Sequence, residues 1–427
     1  MRPPVPVHAV QRRTVGTLVS AQVAGGLGIS SGVAAGALLV ARVLGLPDLA
    51  GFAQSALVLG SALLALPAAA LAARFGRRIG LGVTLALAAC GAAAVIAAAE
   101  LRLFPLLLLG MALFGGGMTA GLQSRYAAID LAAPDRRART LSLVVWATTI
   151  GAVAGPNLLG PGDWVAERVG IASLAGPFVI ALAAMVVAAA VVWLRLRPDP
   201  LLLAQSLEPG AGEPSRKQRR GLRAGMAAAR RSPRAVLGLA AVVLAHTVMV
   251  SVMVMTPIHM DDGQASLEII GFVISVHVAG MYAFSPVMGW LADRLGRVVM
   301  ISAGGGMLLA AVALAGRAPE GHSVGLTAGL FLLGLGWSAC LVAGSTLLSE
   351  SVALDERPVV QGTSDLLMGL AAAGGGAAAG FVVSNLGYGV LNAGAAGIVV
   401  ALLVGAGWTG SRHPAAPSPS TEPVDVA

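Results

Sequence analysis

Charged side chains are scarce in this chain. Asp, Glu, Lys and Arg make up 11% of its 427 residues, whereas a typical soluble domain has roughly 25%. Hydrophobic residues reach 57%. This composition excludes a water-soluble fold of this length and predicts an all-α polytopic membrane protein. The only two cysteines, Cys90 and Cys340, lie in different apolar segments, which excludes a disulfide framework. The net charge of +8 does not indicate a nucleic-acid partner, because the basic residues lie in short loops.

Long apolar segments recur along the chain. Each is long enough to cross a bilayer, which takes roughly 20 mostly apolar residues. We count about twelve, beginning near residues 15, 51, 79, 103, 140, 171, 236, 268, 298, 321, 358 and 388. With the N-terminus inside, the outer loops hold only four of the 28 basic residues, namely Arg42, Arg102, Arg168 and Arg317. The remaining 24 lie inside, which predicts that both termini are cytoplasmic.

The apolar segments fall into two groups of six. Residues 1–194 form the predicted N-terminal half and residues 236–410 the C-terminal half. Between them, residues 195–235 are basic and rich in proline, which predicts a partly disordered cytoplasmic linker. Residues 411–427 are rich in Pro, Ser and Ala and are predicted to be a disordered tail.

A short loop motif occurs once in each half. Arg-Phe-Gly-Arg at 74–77 recurs 220 residues later as Arg-Leu-Gly-Arg at 294–297. The second copy belongs to Gly-Trp-Leu-Ala-Asp-Arg-Leu-Gly-Arg at 289–297, which resembles the loop signature of the major facilitator superfamily. The resemblance implies twelve transmembrane helices in two pseudo-symmetric six-helix halves. Ala73 stands where the first copy would have its aspartate. By the same resemblance, the gating loops comprise Asp293, Arg294, Gly296, Arg297, Arg74 and Arg77.

Acidic residues within a membrane segment are a common sign of proton coupling, and the sequence indicates none of that kind. We expect Arg125, Asp130 and Asp135, at the inner end of the fourth segment, to pair locally. The chain has no nucleotide-binding motif and no catalytic constellation, so we expect neither ATP coupling nor enzymatic activity.

Methionine and histidine concentrate in the seventh and eighth segments. Residues 246–288 hold six of the 14 methionines and three of the six histidines. Two pairs have a four-residue spacing that places both members on one helical face, Met249 with Met253 and His277 with Met281. Thioether and imidazole groups are ligands for Cu(I). The four side chains therefore predict a metal site between helices seven and eight, near the membrane midplane.

Three further residues of this stretch are predicted to lie on the access path to the metal or to support its ligands, namely His246, His259 and Met260. At about 100° per residue, Met255 points to the side of its helix opposite His246, Met249, Met253 and Met260. Packing remains the alternative for the methionines, since a methionine stripe is more often core than ligand. Histidine within a bilayer is rarer and more often functional.

The two pairs together resemble the CcoA-like bacterial copper importers. This resemblance implies a monomer in the bacterial inner membrane, with copper as the transported substrate and no resident cofactor. Copper chaperones or oxidase-assembly proteins are the implied partners, besides the lipid bilayer. Ala241 and Ala245 stand where that group has cysteines at the start of the seventh segment. The alternative function is a major facilitator exporter of drugs or other small amphipathic molecules, in which the methionines form an adaptable apolar lining.

Overall fold

The computed structural model describes residues 6–208 and 221–412, and every regular element in these ranges is a helix. The predicted disorder of residues 209–220 and of the tail beyond residue 412 lies outside the described residues. The helices of the first half are α1 (Val7–Leu38), α2 (Ala50–Phe75), α3 (Arg77–Leu101), α4 (Phe104–Phe114), α5 (Gly116–Ala127), α6 (Arg137–Ala154), α7 (Leu159–Val169) and α8 (Gly176–Arg195).

The linker and the second half contain the remaining nine helices of the described residues. Two short helices belong to the linker, α9 (Pro200–Leu207) and α10 (Leu222–Ala229). The second half consists of α11 (Pro233–Asp262), α12 (Leu267–Tyr282), α13 (Ser285–Leu295), α14 (Arg297–Gly316), α15 (Val324–Glu350), α16 (Arg357–Leu386) and α17 (Tyr388–Arg412).

The predicted all-α membrane fold is confirmed. Within the described ranges, eleven helical segments are long and apolar enough to cross a membrane, and the count is twelve if one bent pair forms a single span. That pair is Pro134–Ala154 with Leu159–Val169, bent by 66°. The bend falls at Gly155 and Pro156, where proline removes a backbone N–H from the helical ladder. The observed spans begin close to the predicted positions.

Each half has its own apolar core. One core gathers α1, α3 and α8 with their neighbours, and the other gathers α11, α14, α15 and α17. Small residues let the helices approach closely. A Cβ on Gly238 of α11 would lie 2.7 Å from the carbonyl oxygen of Gly344 in α15, so these two backbones are in direct contact. A larger residue at either glycine would separate the two helices.

The two halves meet on the side of the membrane that carries the loops at Gly76 and Gly296, which we call the loop side. There α16 packs against α2, and α13 packs against α6. A Cβ on Gly362 would lie 2.4 Å from that of Ala69, and one on Gly289 would lie 2.7 Å from the carbonyl oxygen of Ala138. Contacts this close bring the two halves together, so the molecule is closed on its loop side.

Candidate functional site

The second-half loop contacts the first half through one carboxylate. Asp293, near the end of α13, accepts hydrogen bonds from the backbone N–H groups of Ala138 at 3.0 Å and Arg139 at 2.8 Å. These groups belong to the first turn of α6, where the helix dipole favours a negative charge. Arg297 lies 2.9 Å from Asp293 and 3.1 Å from Glu350, so it holds both acids in place. The gating role expected for Asp293 and Arg297 stays a prediction.

The first-half loop uses different partners, since it lacks that aspartate. Arg77 is buried and forms an ion pair with Asp130 at 2.8 Å. It also donates to Oε1 of Gln361 in α16 at 2.7 Å, and so contacts the second half directly. Burial raises the pKa of Asp130 from its ordinary value, and the Arg77 guanidinium acts in the opposite direction. Arg74 and Arg294 instead lie exposed, each over a neighbouring aromatic ring.

A second buried ion pair crosses between the halves. Nη2 of Arg125, in α5, lies 2.7 Å from Oδ1 of Asp365, in α16, and both side chains are almost completely buried. A buried carboxylate therefore lies within a membrane span, where the sequence had indicated none of the kind that accompanies proton coupling. Asp365 occupies the third turn of a membrane-spanning helix, and Arg125 pairs with it rather than with Asp130 or Asp135. Nε of Arg125 and Oδ2 of Asp365 have no hydrogen-bond partner among the described residues.

An aromatic cluster lies beside this ion pair. The indole N–H of Trp337, in α15, donates to Nδ1 of His246, in α11, at 2.9 Å. The ring of Tyr282, in α12, meets Trp337 edge-on, with centroids 5.6 Å apart. The Arg125 charge acts on both His246 and Tyr282, so the cluster and the ion pair share one region. We call these five residues, including Asp365, the central site.

Sequence reasoning named two members of the central site, His246 and Arg125, and gave both of them different roles. One usable signal was available. Asp365 lies well inside an apolar segment that begins near residue 358, and an ionisable residue in that position indicates function by default. Tyr282 and Trp337 gave no comparable signal, because single aromatic residues are common in any helical core.

The predicted metal ligands lie on two helices that α15 keeps apart. Both α11 and α12 pack mainly against α15 and contact one another little. Met249 and Met281 are buried, and Met253 is half-buried. His277 is also buried, and its Nδ1 lies 2.8 Å from the carbonyl oxygen of Leu330. That contact requires Nδ1 to carry the proton, which leaves the Nε2 lone pair free, and Nε2 has no partner among the described residues.

Two of the three residues predicted on the access path are buried. His259 is buried and stacks on Tyr388 with ring centroids 4.2 Å apart, and Met260 is fully buried. Asp261 and Asp262, which follow them, are exposed. Within residues 6–208 and 221–412, no three side chains of His, Cys, Asp or Glu are grouped so that they could hold a metal ion. An access role for His259 stays a prediction.

Comparison with known proteins assigns the family. The model of the Major Facilitator Superfamily matches residues 17–263 and 239–425, and the chain belongs to this superfamily of secondary transporters. It is 38% identical to the uncharacterized transporter YdeG of Bacillus subtilis over 89% of this chain and 88% of the relative. It is 30% identical to the riboflavin transporter RfnT of Brucella anthropi over 84% of this chain and 85% of the relative.

Solved structures share the fold. The human organic anion transporter MFSD10 superimposes with a TM-score of 0.70 at 18% identity, covering 95% of this chain and 100% of that one. A bacterial homologue of the iron transporter ferroportin gives 0.69 at 17% identity, covering 93% of this chain and 100% of that one. The predicted architecture of two six-helix halves agrees with these neighbours.

Proposed function

We propose that this transporter carries a small, planar aromatic solute with polar substituents, and that the central site binds it. The observation that carries the proposal is that the aromatic cluster shares one region with a buried ion pair between the halves. His246 and Tyr282 are half-buried. They therefore present ring surface from the second half, at a position that a solute between the halves can reach.

The chemistry of the central site suits such a solute. Aromatic rings stack on planar ligands and contribute about 0.5–1.5 kcal/mol beyond the area they bury. The unpartnered Nε of Arg125 is a donor and the unpartnered Oδ2 of Asp365 is an acceptor. Hydroxyl, carbonyl or imide groups on the solute would satisfy both atoms. A purely apolar solute would leave them without partners, which costs binding free energy.

A relative supports the same class of solute. RfnT is named as a riboflavin transporter, and riboflavin combines a planar tricyclic ring with polar substituents. We therefore choose riboflavin as the first probe. The proposal agrees with the broader alternative from the sequence, a transporter of small amphipathic molecules, and it assigns no direction to transport.

The test is equilibrium binding of riboflavin to the purified protein, followed by riboflavin flux in proteoliposomes. Trp337→Phe removes the hydrogen bond to His246 and part of the ring surface. We expect binding roughly two- to tenfold weaker, the value of about one such hydrogen bond. The matched control is Trp164→Phe, since Trp164 is exposed and stacks under Arg168. Absence of saturable riboflavin binding by the wild type would overturn this choice of solute. Equal binding by the Trp337 variant would overturn the assigned site.

Copper is the second candidate, and the geometry of His277 favours it. Metal-binding histidines commonly donate their other ring N–H to a backbone carbonyl, which orients the free nitrogen toward the metal. His277 shows this arrangement with Leu330, and its Nε2 is buried without a partner. Met281 follows one turn later on the same face. The separation of α11 from α12 argues against all four predicted ligands binding one ion in this conformation.

A further inference from the structure

The two gating loops differ in what lies against their glycines. Gly76 and Gly296 occupy matching positions and both have positive φ, 90° and 95°. Among the described residues, a Cβ on Gly296 would meet nothing within 4 Å, whereas one on Gly76 would lie 2.5 Å from the carboxyl carbon of Asp199. Asp199 belongs to the linker, immediately before α9. An acidic residue from outside the loop therefore occupies the first copy only.

Asp199 bonds to two helix N-termini at once. Its Oδ2 accepts from the backbone N–H of Arg78 in α3 at 2.8 Å. Its Oδ1 accepts from Leu201 and Leu202, the first N–H groups of α9, at 3.0 and 3.2 Å. Helix N-termini favour negative charge and leave N–H groups that need acceptors. The carboxylate therefore fixes α9 to the first half, at the loop that has Ala73 in place of an aspartate.

The other face of α9 contacts the second half. Leu201 and Ala204 form a small buried cluster with Leu354, which lies between α15 and α16. Glu208, at the end of α9, lies close enough to Arg357 for their opposite charges to attract. These contacts are on the loop side, where the halves touch. Opening the loop side requires the halves to separate, so α9 must leave one of them.

We infer that α9 is a strap across the closed loop side, with Asp199 as the positioning residue that fixes it beside the loop that has Ala73 in place of an aspartate. Because Asp199 is bonded to α3 and the chain continues into α9 directly from α8, the strap stays with the first half. It releases the second half at Leu354 and Arg357 when the loop side opens. The strap therefore stabilises the loop-closed conformation without touching the central site.

Two cysteine reporters test this inference without any substrate, so the result is independent of the proposed function. Both are placed in a background with Cys90→Ala and Cys340→Ala. Leu141→Cys lies in α6, fully buried against second-half residues on the loop side. Ile258→Cys lies on the exposed side of α11, toward the opposite membrane face. The measurement is the rate of maleimide alkylation of each cysteine in the full-length protein.

Asp199→Ala should raise the alkylation rate of Leu141→Cys by about fivefold, the size expected for losing one helix cap. It should lower the rate of Ile258→Cys, because a population shift opens one side as it closes the other. The control is Asp135→Ala, since Asp135 is an exposed acid on the same side, paired only loosely with Arg136 at 3.6 Å. We expect wild-type rates from it.

Leu354→Ala removes most of the apolar contact between the strap and the second half. It should therefore also raise the alkylation rate of Leu141→Cys and lower that of Ile258→Cys. It also keeps the test decisive if Asp199→Ala fails to accumulate. Unchanged rates with either variant would overturn the inference. So would faster alkylation of both reporters, because that pattern signifies general loosening of the fold and not a shift between two conformations.

Discussion

Replacing Asp365 with asparagine should shift the transporter strongly toward its loop-open conformation. The pair with Arg125 spans 2.7 Å between nearly fully buried side chains. At an effective dielectric constant of about 20, two charges about 4 Å apart attract by about 4 kcal/mol. Removing one partner from a buried pair costs about 3–5 kcal/mol, because the other charge stays buried and unpaired.

That cost applies mainly to the closed conformation. Arg125 belongs to the first half and Asp365 to the second, so separating the halves breaks the pair and gives both groups access to water. The closed conformation of Asp365→Asn should therefore lose about 3 kcal/mol relative to the open one, close to a hundredfold change in population. Alkylation of the Leu141→Cys reporter should accelerate, and alkylation of Ile258→Cys should slow.

The double variant Arg125→Gln with Asp365→Asn is the matched control. It removes both charges, so no buried charge remains unpaired, and the reporter rates should return most of the way to those of the wild type. Additive effects of the two single substitutions would show that the residues are not coupled. Wild-type rates with Asp365→Asn alone would refute the argument that this pair holds the halves together.

Three other outcomes are expected. Asp293→Asn should destabilise the closed conformation by about 1–2 kcal/mol, since the amide keeps one acceptor but loses the charge at the N-terminus of α6. We expect faster alkylation of Leu141→Cys in this variant. Alkylation at the wild-type rate would show that Asp293 does not hold the loop side closed. Met281→Leu should lower copper uptake if copper is carried, because it removes the sulfur but keeps the volume, whereas the control Met255→Leu should not; equal uptake by the two variants would contradict the metal site. A reporter enzyme that works only in the cytoplasm should be active when it is fused after Arg223, since 24 of 28 basic residues are predicted on that side. Activity of a reporter that works only in the periplasm would contradict the predicted topology.

Much of the fold could be predicted because its signals are local. A run of about 20 apolar residues indicates a spanning helix whatever lies next to it. The turn at Gly76 and the turn at Gly296 were visible as a repeat, and both have the positive φ that glycine adopts readily. The fifth span was located by its apolar run near residue 140, although its bend was not predicted.

The central site could not be predicted because its contacts join distant residues. Arg125 and Asp365 are 240 positions apart, and His246 and Trp337 are 91 apart. Helical periodicity relates only residues a few turns apart on the same helix, so no pattern along the chain relates the partners. The clustering of methionine and histidine was a local signal and therefore easier to see. It pointed to α11 and α12, whose metal-binding role stays a prediction, and it did not reveal that α15 packs against both of them.

The internal repeat separates residues that serve only the gate from residues that are also proposed to bind the solute. Arg77 with Asp130 in the first half corresponds, 220 residues later, to Arg297 with Glu350, and both pairs form. An ion pair that is present in both halves belongs to the shared scaffold.

The central pair has no such counterpart. The position equivalent to Arg125 is Ser345, and the position equivalent to Asp365 is Val145. A buried charge is costly to retain in a membrane protein, and these two charges are not required by the repeated fold. Their presence in one copy only is best explained by the solute, which is asymmetric and must meet different groups from the two halves. The same reasoning predicts that Arg125→Lys, which keeps the charge but loses the planar fork, should impair solute binding more than it shifts the two cysteine reporters. Parallel changes in binding and in reporter rates would instead assign the pair to the gate alone.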